Sequence, residues 1–486
     1  MSEILKNYIR NQIYSQSQIL KNKITLPDGK ITLSRYFYIK LKKYALDFLA
    51  HSTEPKIIAM SGLRGVGKTT LLASLFFEKE IENYNYKIYL PADEVVNTFG
   101  SNLVEFLDIY QQIIGVRFEN TQQKFLLLVD EIHFDKNWTQ TLKTIYDKYN
   151  NVFVVCTGSS ALALNSTTDL ARRMIIAKIH PLCFTEYIQI GSRYVNSDNT
   201  IFPIKGLKQE LKQILFQSKN FEELVLAIQN QKIQEKVDTY YSKFNSIQID
   251  NFVKYGTMPN NLILPTGENF DLNNQVLLNN QLLDRIIEKD FVEFGNFKFE
   301  TIQKTKNLLL LLATTSDLSV NSLSKTLGIN IATIQSILDN LEKCDLIIKI
   351  LPFGNPEKKV VKPSKYYFRS PVFRLARLYY FDSLNPFDQY KGLLLEDIVA
   401  QILTRELSGI ADIFNDPNSG NADFIVKTLK NKIAIEVGYG SKNQKQVQKS
   451  MTRHNLDYGI VVSNDQYYIW QDDKVVRIPL KWLLLI

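Results

Sequence analysis

The sequence is poor in residues that form disulfides or metal clusters. It contains only three cysteines, Cys156, Cys183 and Cys344, and only four histidines, all far apart. An odd number of scattered cysteines argues against a disulfide framework, and scattered histidines argue against a Cys/His metal site. We therefore expect a protein of the reducing cytoplasm.

Long apolar runs are also missing. The runs "NLLLLLA" and "WLLLI" fall well short of the ~20 residues that a membrane-spanning helix requires. The first residues, "MSEILKNYIRNQIYSQ", carry charges throughout and lack the apolar core of a signal peptide. We expect neither a membrane span nor a membrane partner.

Neither sign of charge is in large excess. A net charge of +8 is mild when spread over 486 residues, so it permits a nucleic-acid partner without requiring one. A chain of this length exceeds a single compact core, and about two to four domains are expected.

Short apolar runs alternate with amphipathic ones between Lys56 and about Lys178. The runs "KIIAMS", "KIYLPA", "FLLLVD", "NVFVVCTG" and "MIIAKI" predict strands, with helices starting near Lys68, Asn102 and Trp138. This alternation is typical of βαβ units around a parallel sheet that is buried on both faces.

A glycine-rich loop follows the first predicted strand and opens a helix. Its sequence "GLRGVGKT" matches G-x-x-x-x-G-K-[ST], the pattern of a phosphate-binding P-loop. The helix N-terminus favours anions, Lys68 can reach the β- and γ-phosphates, and the Thr69 hydroxyl can bind Mg²⁺. We predict ATP and Mg²⁺ as cofactors, with nucleotide contacts from Gly62, Leu63, Arg64, Gly65, Val66, Gly67, Lys68, Thr69 and Thr70.

Two adjacent acids end a later apolar run, "FLLLVDEIH". Asp130 is predicted to hold Mg²⁺ with Thr69, and Glu131 to polarise the water that attacks the γ-phosphate. The run "KIYLPA" lies between the two motifs, which fits the additional-strand class of P-loop proteins. The predicted fold class is thus an α/β P-loop NTPase with a parallel sheet.

Hydroxyl and arginine side chains near the next two strands are further candidates. Thr157, Ser159 and Ser160 follow or end the run "NVFVVCTG", where a polar group can sense the γ-phosphate, and Ser159 is our choice for that role. Arg172 and Arg173 precede the last strand, and either is a candidate arginine finger that acts on a neighbouring subunit of a homo-oligomer. A surface salt bridge is the alternative for this pair.

The whole sequence divides into five regions that differ in their predicted secondary structure. We predict an N-terminal helical or extended segment (1–50), a P-loop ATPase core (51–185), a helical lid or linker (186–300), a winged helix with its connector (301–385), and an α+β domain (386–486).

The sequence of the predicted winged helix is compatible with two partners, DNA or the ATPase core. Its second helix carries few cations, and its polar positions are Asn330, Thr333, Gln335, Ser336 and Lys343. The wing is more basic, with Lys358, Lys359, Lys362 and Lys365. Phosphate contacts from the wing favour DNA. The alternative is a lid on the ATPase core whose charges face solvent.

Four stretches in this order, "GLRGVGKTTLL", "FLLLVDEIHFDKNWTQTLKTIYD", "TGSSALALNSTTDLARRM" and "PLCFTEYI", resemble the prokaryotic AAA-type ATPases of the AAA_14/DUF4143 kind. Those proteins join a P-loop core to a winged helix and a restriction-endonuclease-like domain. The resemblance implies ATPase roles for Lys68, Thr69, Asp130 and Glu131, and makes Arg173 the better-matched finger.

The C-terminal region resembles the PD-(D/E)xK nuclease core. The stretches "GLLLEDIVAQIL", "NADFIV" and "KIAIEVGYG" place Glu396 on a helix and Asp423 and Glu436 on successive strands. In that core the acids bind a metal, and a lysine two residues after the Glu assists the attacking water. Gly438 stands at the lysine position, and Lys442 is either a replacement that reaches back or a surface lysine. A binding or scaffolding role is the alternative to cleavage.

Together these features predict a Mg²⁺-dependent ATPase coupled to a DNA-associated task. Two alternatives remain open at this point. One is a nucleotide-gated signalling or assembly switch with a protein partner, and the other is a metal-dependent nuclease regulated by the ATPase.

Overall fold

The computed structural model describes residues 2–159, 170, 172–191, 206–262, 272–292, 297, 299–315, 318–355, 362–381, 385–418, 420–440, 442–464 and 466–486. The chain divides into two compact units, an N-terminal unit (Met1–His180) and a C-terminal unit (Pro181–Ile486). No helix in these described ranges is long and apolar enough to cross a membrane.

The N-terminal unit is built on a five-stranded parallel sheet. Its strands are β1 (Ile57–Ser61), β2 (Tyr86–Pro91), β3 (Phe125–Asp130), β4 (Val152–Thr157) and β5 (Ile175–Lys178). They lie in the order β2-β3-β4-β1-β5, and every pair is parallel. This confirms the predicted α/β P-loop fold class for the first part of the chain.

Burial explains why these strands are continuous apolar runs. β1, β3 and β4 are buried at every residue, because helices cover the sheet. The helices are α1 (Ser2–Ile24), α2 (Phe37–His51), α3 (Lys68–Phe76), α4 (Ala92–Phe99), α5 (Leu103–Ile114) and α6 (Trp138–Lys148). The predicted helix starts at Lys68, Asn102 and Trp138 agree with α3, α5 and α6, whereas α4 was not predicted.

Helix α1 covers the outer edge of the sheet, at β2, and two of its glutamine side chains bond to that strand. Gln12 donates to the carbonyl of Tyr89 at 3.1 Å, and Gln16 both accepts from the Tyr89 N–H at 2.8 Å and donates to the carbonyl of Lys87 at 3.3 Å. β2 is an edge strand with backbone groups that would otherwise lack partners on that side. The two amides therefore satisfy the edge strand and hold α1 against the sheet.

The C-terminal unit begins with helices. They are α7 (Phe184–Gly191), α8 (Leu207–Gln217), α9 (Phe221–Ile228), α10 (Gln231–Tyr241), α11 (Ile247–Asn251), which continues into a π-helical turn (Phe252–Gly256), and α12 (Leu272–Arg285). No strand occurs in the described part of residues 205–300, in line with the predicted helical texture of that region.

Three helices and two strands follow. They are α13 (Phe299–Thr314), α14 (Val320–Leu327), α15 (Ile331–Lys343), β6 (Ile347–Ile350) and the antiparallel β7 (Lys365–Phe368). Gly328, at φ +63°, ends α14 in a left-handed turn before α15. The element order is the one predicted for a winged helix, and that assignment stays a prediction. Lys358 and Lys359 of the predicted wing lie outside the described residues.

The chain ends in a six-stranded mixed sheet. Helices α16 (Pro371–Phe381) and α17 (Pro386–Glu406) precede it, and its elements are β8 (Ala411–Phe414), β9 (Phe424–Thr428), β10 (Lys432–Val437), α18 (Lys445–His454), β11 (Tyr458–Ser463), β12 (Tyr468–Trp470), β13 (Val475–Pro479) and α19 (Leu480–Leu484). The order is β12-β13-β11-β10-β9-β8, with β10, β11 and β13 parallel and the other pairs antiparallel. β8 and β13 were not predicted from the sequence.

Candidate nucleotide-binding site

The loop between β1 and α3 has the backbone shape of a phosphate cradle. Gly62, Gly65 and Gly67 adopt φ values of +143°, +87° and +92°. Other residues adopt such conformations only with strain, so the glycines are required by the path of the chain. The loop leads into the N-terminus of α3 at Lys68, where the first-turn N–H groups and the helix dipole add partial positive charge.

Gly62 also lies against the backbone that leaves β5. A Cβ atom on Gly62 would stand 2.3 Å from the carbonyl oxygen of Ile179. The Ile179 N–H in turn donates to the carbonyl of Ser61 at 2.8 Å. The start of the loop and the end of β5 are therefore in direct backbone contact.

The amine of Lys68 lies on the loop itself. Its Nζ donates to the carbonyl oxygens of Gly62 at 2.8 Å and Leu63 at 3.2 Å, and the residue is only 6% exposed. A phosphate in the cradle would offer charged oxygens in place of these neutral carbonyls, and charge-assisted bonds are the stronger ones. Lys68 is thus held beside the position that its predicted role requires.

Thr69 and Asp130, the two residues predicted to bind Mg²⁺, are in direct contact. The Thr69 hydroxyl donates to the carboxylate of Asp130, at 2.9 Å from Oδ2. A hydroxyl next to a carboxylate supplies the hard oxygen donors that Mg²⁺ prefers, so this pair fits the implied ion. Tyr89, from β2, adds a second hydroxyl that lies 3.0 Å from Oδ2 of Asp130. Sequence reasoning missed Tyr89.

Thr157, at the end of β4, links the two acids of β3. Its hydroxyl donates to Oδ1 of Asp130 and accepts the N–H of Glu131 at 2.9 Å. Thr157 is fully buried. Glu131 itself adopts a left-handed conformation at φ +52°, which turns the chain sharply as it leaves the strand. The threonine hydroxyl thereby stabilises both the carboxylate of Asp130 and the turn at Glu131.

Glu131 lies in a mostly buried position beside a histidine. Burial raises the pKa of its carboxyl, and the charges of Lys68 and His133 oppose that shift. The Nδ1 of His133 lies 3.4 Å from Oε2 of Glu131 and 3.4 Å from the backbone nitrogen of Ser159. His133 therefore stands between the predicted catalytic acid and the predicted γ-phosphate sensor, a position that nothing in its sequence context indicated.

The hydroxyl of Ser159 differs from that of Thr157. Its Oγ is buried and makes no hydrogen bond to the residues that the structure describes. An unsatisfied buried hydroxyl is unfavourable unless a ligand or water completes it. This leaves Ser159 available for the predicted sensing role, whereas Ser160 lies outside the described residues.

Arg173 lies near the amino-terminal ends of the parallel strands, whereas the P-loop follows the carboxyl-terminal end of β1. β5 pairs with β1 from Ile175 beside Ile58, so the residues just before β5 stand near the start of β1. Arg173 donates to Asp147 at 3.0 Å and its guanidinium lies 5.7 Å from the ring centre of Tyr146. Arg172 is exposed. Arg173 is therefore separated from the phosphate cradle of its own chain by the length of the strands.

A second group of charged side chains lies in the C-terminal sheet. Lys442 Nζ contacts Oε1 of Glu436 at 2.9 Å, and Asp423 accepts the N–H of Val437 at 2.8 Å. Burial and the nearby Asp423 raise the pKa values of both Glu396 and Glu436. The acids named from the sequence are therefore close enough to interact. Within the described ranges, however, no group of three or more His, Cys, Asp or Glu side chains is placed to hold a metal ion.

Gly438 makes room for that lysine. A Cβ on Gly438 would lie 2.2 Å from Cε of Lys442, so the lysine side chain passes over the glycine backbone. Of the two readings open from the sequence, the structure favours a lysine that reaches back to Glu436. The contact is an ion pair with a buried acid, and Glu436 is 1% exposed.

The predicted DNA-facing helix carries mixed charge. Asn330 caps α15 by accepting the Thr333 N–H at 2.8 Å, so its side chain serves the helix. Gln335, Ser336 and Lys343 are exposed, together with the acids Asp339 and Glu342. Asp339 pairs with Lys349 at 3.1 Å.

Two family models match the chain. One, described as an AAA domain, covers residues 54–188, and the other, a domain of unknown function, covers residues 248–378. The first match contains the cradle, Asp130 and Glu131. The second spans the end of the helical region together with α13 to α15 and the β6–β7 pair.

Several relatives and solved structures are similar to this chain. The RuvB Holliday junction branch migration motor of Thermotoga maritima is 14% identical, with a TM-score of 0.26 over 65% of this chain and 90% of that one. AMPPCP-bound DnaA from Aquifex aeolicus is also 14% identical, with a TM-score of 0.26 over 66% and 92%. TM-scores this low support no inference about this chain.

The relatives compared by sequence are uncharacterized proteins. MJ1544 of Methanocaldococcus jannaschii is 21% identical over 88% of both chains. MJ1637 of the same organism is 32% identical over 97% of this chain and 93% of its own length. This chain therefore belongs to the family of MJ1637, and it carries an AAA domain over residues 54–188.

Proposed function

We propose that the chain is a Mg²⁺-dependent ATPase whose turnover is coupled to a DNA-associated task. The observation that carries the ATPase proposal is the contact between Thr69 and Asp130, at 2.9 Å, directly beside the glycine cradle and Lys68. Hydroxyl, carboxylate, amine and helix N-terminus converge there, as binding of a metal–triphosphate requires.

Each side chain has a role that follows from its place. The loop Gly62–Thr70 binds the phosphates through its N–H groups, and Lys68 moves from the carbonyls of Gly62 and Leu63 onto the β- and γ-phosphates. Thr69 and Asp130 hold Mg²⁺, which neutralises phosphate charge when bound. Glu131 orients the attacking water and accepts its proton.

Two further roles complete the proposal. The Ser159 hydroxyl, which lacks a hydrogen bond among the described residues, contacts the γ-phosphate. Arg173 stands at the opposite sheet edge, so its action on the transition state requires the nucleotide of a second copy of this chain. The proposal therefore includes a homo-oligomer.

The test is ATP turnover by the full chain with Mg²⁺, compared with Lys68→Ala and Glu131→Gln. Lys68→Ala is expected to lose ATP binding, whereas Glu131→Gln is expected to bind ATP and lose turnover by roughly 10²-fold or more. Lys79→Ala, on a different part of the same unit, is the matched control. Wild-type turnover in both site variants would refute the ATPase proposal.

The DNA-associated task rests on the α14–α15 pair with its two-strand extension and on the net charge of +8. DNA should raise turnover, and its affinity should fall steeply as salt increases, because phosphate contacts release counterions. Turnover measured with duplex DNA, single-stranded DNA and RNA at two salt concentrations tests this.

A second candidate is a nucleotide-gated switch that acts on a protein partner. The acids Asp339 and Glu342 on the exposed side of α15 favour it, because they would repel a phosphate backbone. This candidate predicts slow turnover, no DNA binding at low salt and nucleotide-dependent assembly. Mass measurements with and without a non-hydrolysable ATP analogue, on the samples used for turnover, distinguish the two.

A further inference from the structure

Arg35 makes a bridge that no motif indicated. It lies just before α2, and one of its guanidinium nitrogens, Nη1, donates to two backbone carbonyls. One belongs to Val66 in the P-loop, at 2.8 Å, and the other to His180, at 2.7 Å. His180 is the last residue of the N-terminal unit.

The bridge restrains the direction of a peptide group in the cradle. In a trans peptide the C=O and the following N–H point to opposite sides. With the Val66 carbonyl bound to Arg35, the N–H of Gly67 is directed to the other side of that peptide. Gly67 is the residue before Lys68 and precedes the first turn of α3, where phosphate-binding N–H groups are needed.

The same region is joined to the end of β5 at a second point. The Ile179 N–H donates to the Ser61 carbonyl at 2.8 Å, and Gly62 leaves no room for a side chain against the Ile179 carbonyl. Ser61 is therefore bonded directly to Ile179, and Val66 is linked to His180 through Arg35. A change in loop shape alters these contacts.

We propose that Arg35 is a positioning residue for the P-loop, which sets the cradle for triphosphate and transmits its occupancy to residues 179–180. This rests on the proposed nucleotide binding at the same loop. Arg35 contacts no phosphate in this role. Arginine suits it because its charge is permanent and its planar group holds a fixed direction.

The experiment compares the full-length wild type with Arg35→Ala, Arg35→Lys and the control Lys43→Ala, an exposed residue on α2. Binding of a non-hydrolysable ATP analogue with Mg²⁺ is measured by titration. Hydrogen–deuterium exchange of the peptide spanning 175–185 is followed with and without the analogue, and circular dichroism melting reports folding.

In the wild type and Lys43→Ala, the analogue should slow exchange in that peptide. Arg35→Ala should bind the analogue roughly tenfold more weakly and, even at saturation, lose the exchange response, since a charged hydrogen-bond donor is gone. Arg35→Lys should recover part of both effects. If Arg35→Ala does not fold, Arg35→Lys decides, because an ammonium cannot keep the guanidinium geometry.

Wild-type affinity together with a wild-type exchange response in the Arg35 variants would overturn the inference and leave the ATPase proposal standing. Failure of the wild type itself to bind the analogue would overturn both. The two failures are thus distinguished in one set of samples.

Discussion

Thr157 and Asp130 are joined by a hydrogen bond between the ends of neighbouring strands. The register places Cys156 beside Val129, so the next residue on each strand, Thr157 and Asp130, also lie side by side. The same hydroxyl accepts the Glu131 N–H at 2.9 Å. One buried side chain thus supports both acids of the candidate site.

This arrangement predicts that Thr157→Val impairs the site without changing its shape. The substitution keeps the volume but leaves the Glu131 N–H without its partner, at a cost of about 1–3 kcal/mol in the free energy of unfolding. ATP turnover by Thr157→Val should also fall, because the turn at Glu131 loses its support. Thr157→Ser retains the hydroxyl and should stay near wild type in both denaturant unfolding and turnover, and equal loss in the two variants would contradict the prediction.

Gly62→Ala should disrupt the cradle. Its Cβ would stand 2.3 Å from the Ile179 carbonyl at a φ of +143°, so both the contact and the backbone are strained. We expect loss of ATP binding and a free energy of unfolding lower by roughly 1–3 kcal/mol. Gly115→Ala is the control, because Gly115 also has positive φ, at +70°, with nothing within 4 Å. It should lose about 1 kcal/mol and keep its ATP affinity.

Complementation tests whether Arg173 acts on a neighbouring copy. Arg173→Ala and Lys68→Ala should each be inactive alone. When the two are mixed, the intact cradle of the first meets the arginine of the second, and part of the turnover should return. Arg172→Ala should remain active by itself. Absence of recovery in mixtures that have demonstrably formed hetero-oligomers would assign Arg173 to its ion pair with Asp147.

Lys442 and Glu436 should be energetically coupled. Lys442→Ala leaves Glu436 buried without its partner, and because the lysine side chain is 36% exposed we expect a modest loss of about 1–2 kcal/mol. Glu436→Gln in the same chain should remove most of that penalty. A double-mutant cycle in urea should give an interaction energy of about 1 kcal/mol, whereas additive effects would show that the contact adds no stability.

Local motifs made the phosphate cradle predictable. "GLRGVGKTT" and "FLLLVDEIH" each place their functional residues within a few positions, where strand, turn and helix preferences act together. The five strands around them were predicted because each contains a short apolar run. β1, β3 and β4 are buried at every residue, whereas β2 and β5 are edge strands that are buried only in part. Neither β8 nor β13 contains a long apolar run, because β8 is a four-residue edge strand that includes Asp412 and β13 is interrupted by Arg477.

The supporting residues had no comparable signal. Tyr89 and Asp130 are 41 positions apart, and His133 occupies an ordinary helical turn. Arg35 and Val66 are 31 positions apart and Arg35 and His180 are 145 apart. Contacts of this kind depend on which strands are neighbours and in what register, and a single sequence does not encode them in any local pattern.

The amino-acid sequence by itself determined the P-loop, the Asp130–Glu131 pair and the parallel sheet, because each follows from short-range backbone and burial preferences. The tertiary structure decided what surrounds them. It placed Tyr89 and Thr157 on Asp130, Arg35 on Val66, and Lys442 over Gly438. It also put Arg173 at the edge away from its own cradle, because parallel strands direct their starts and their ends to opposite sides of the sheet.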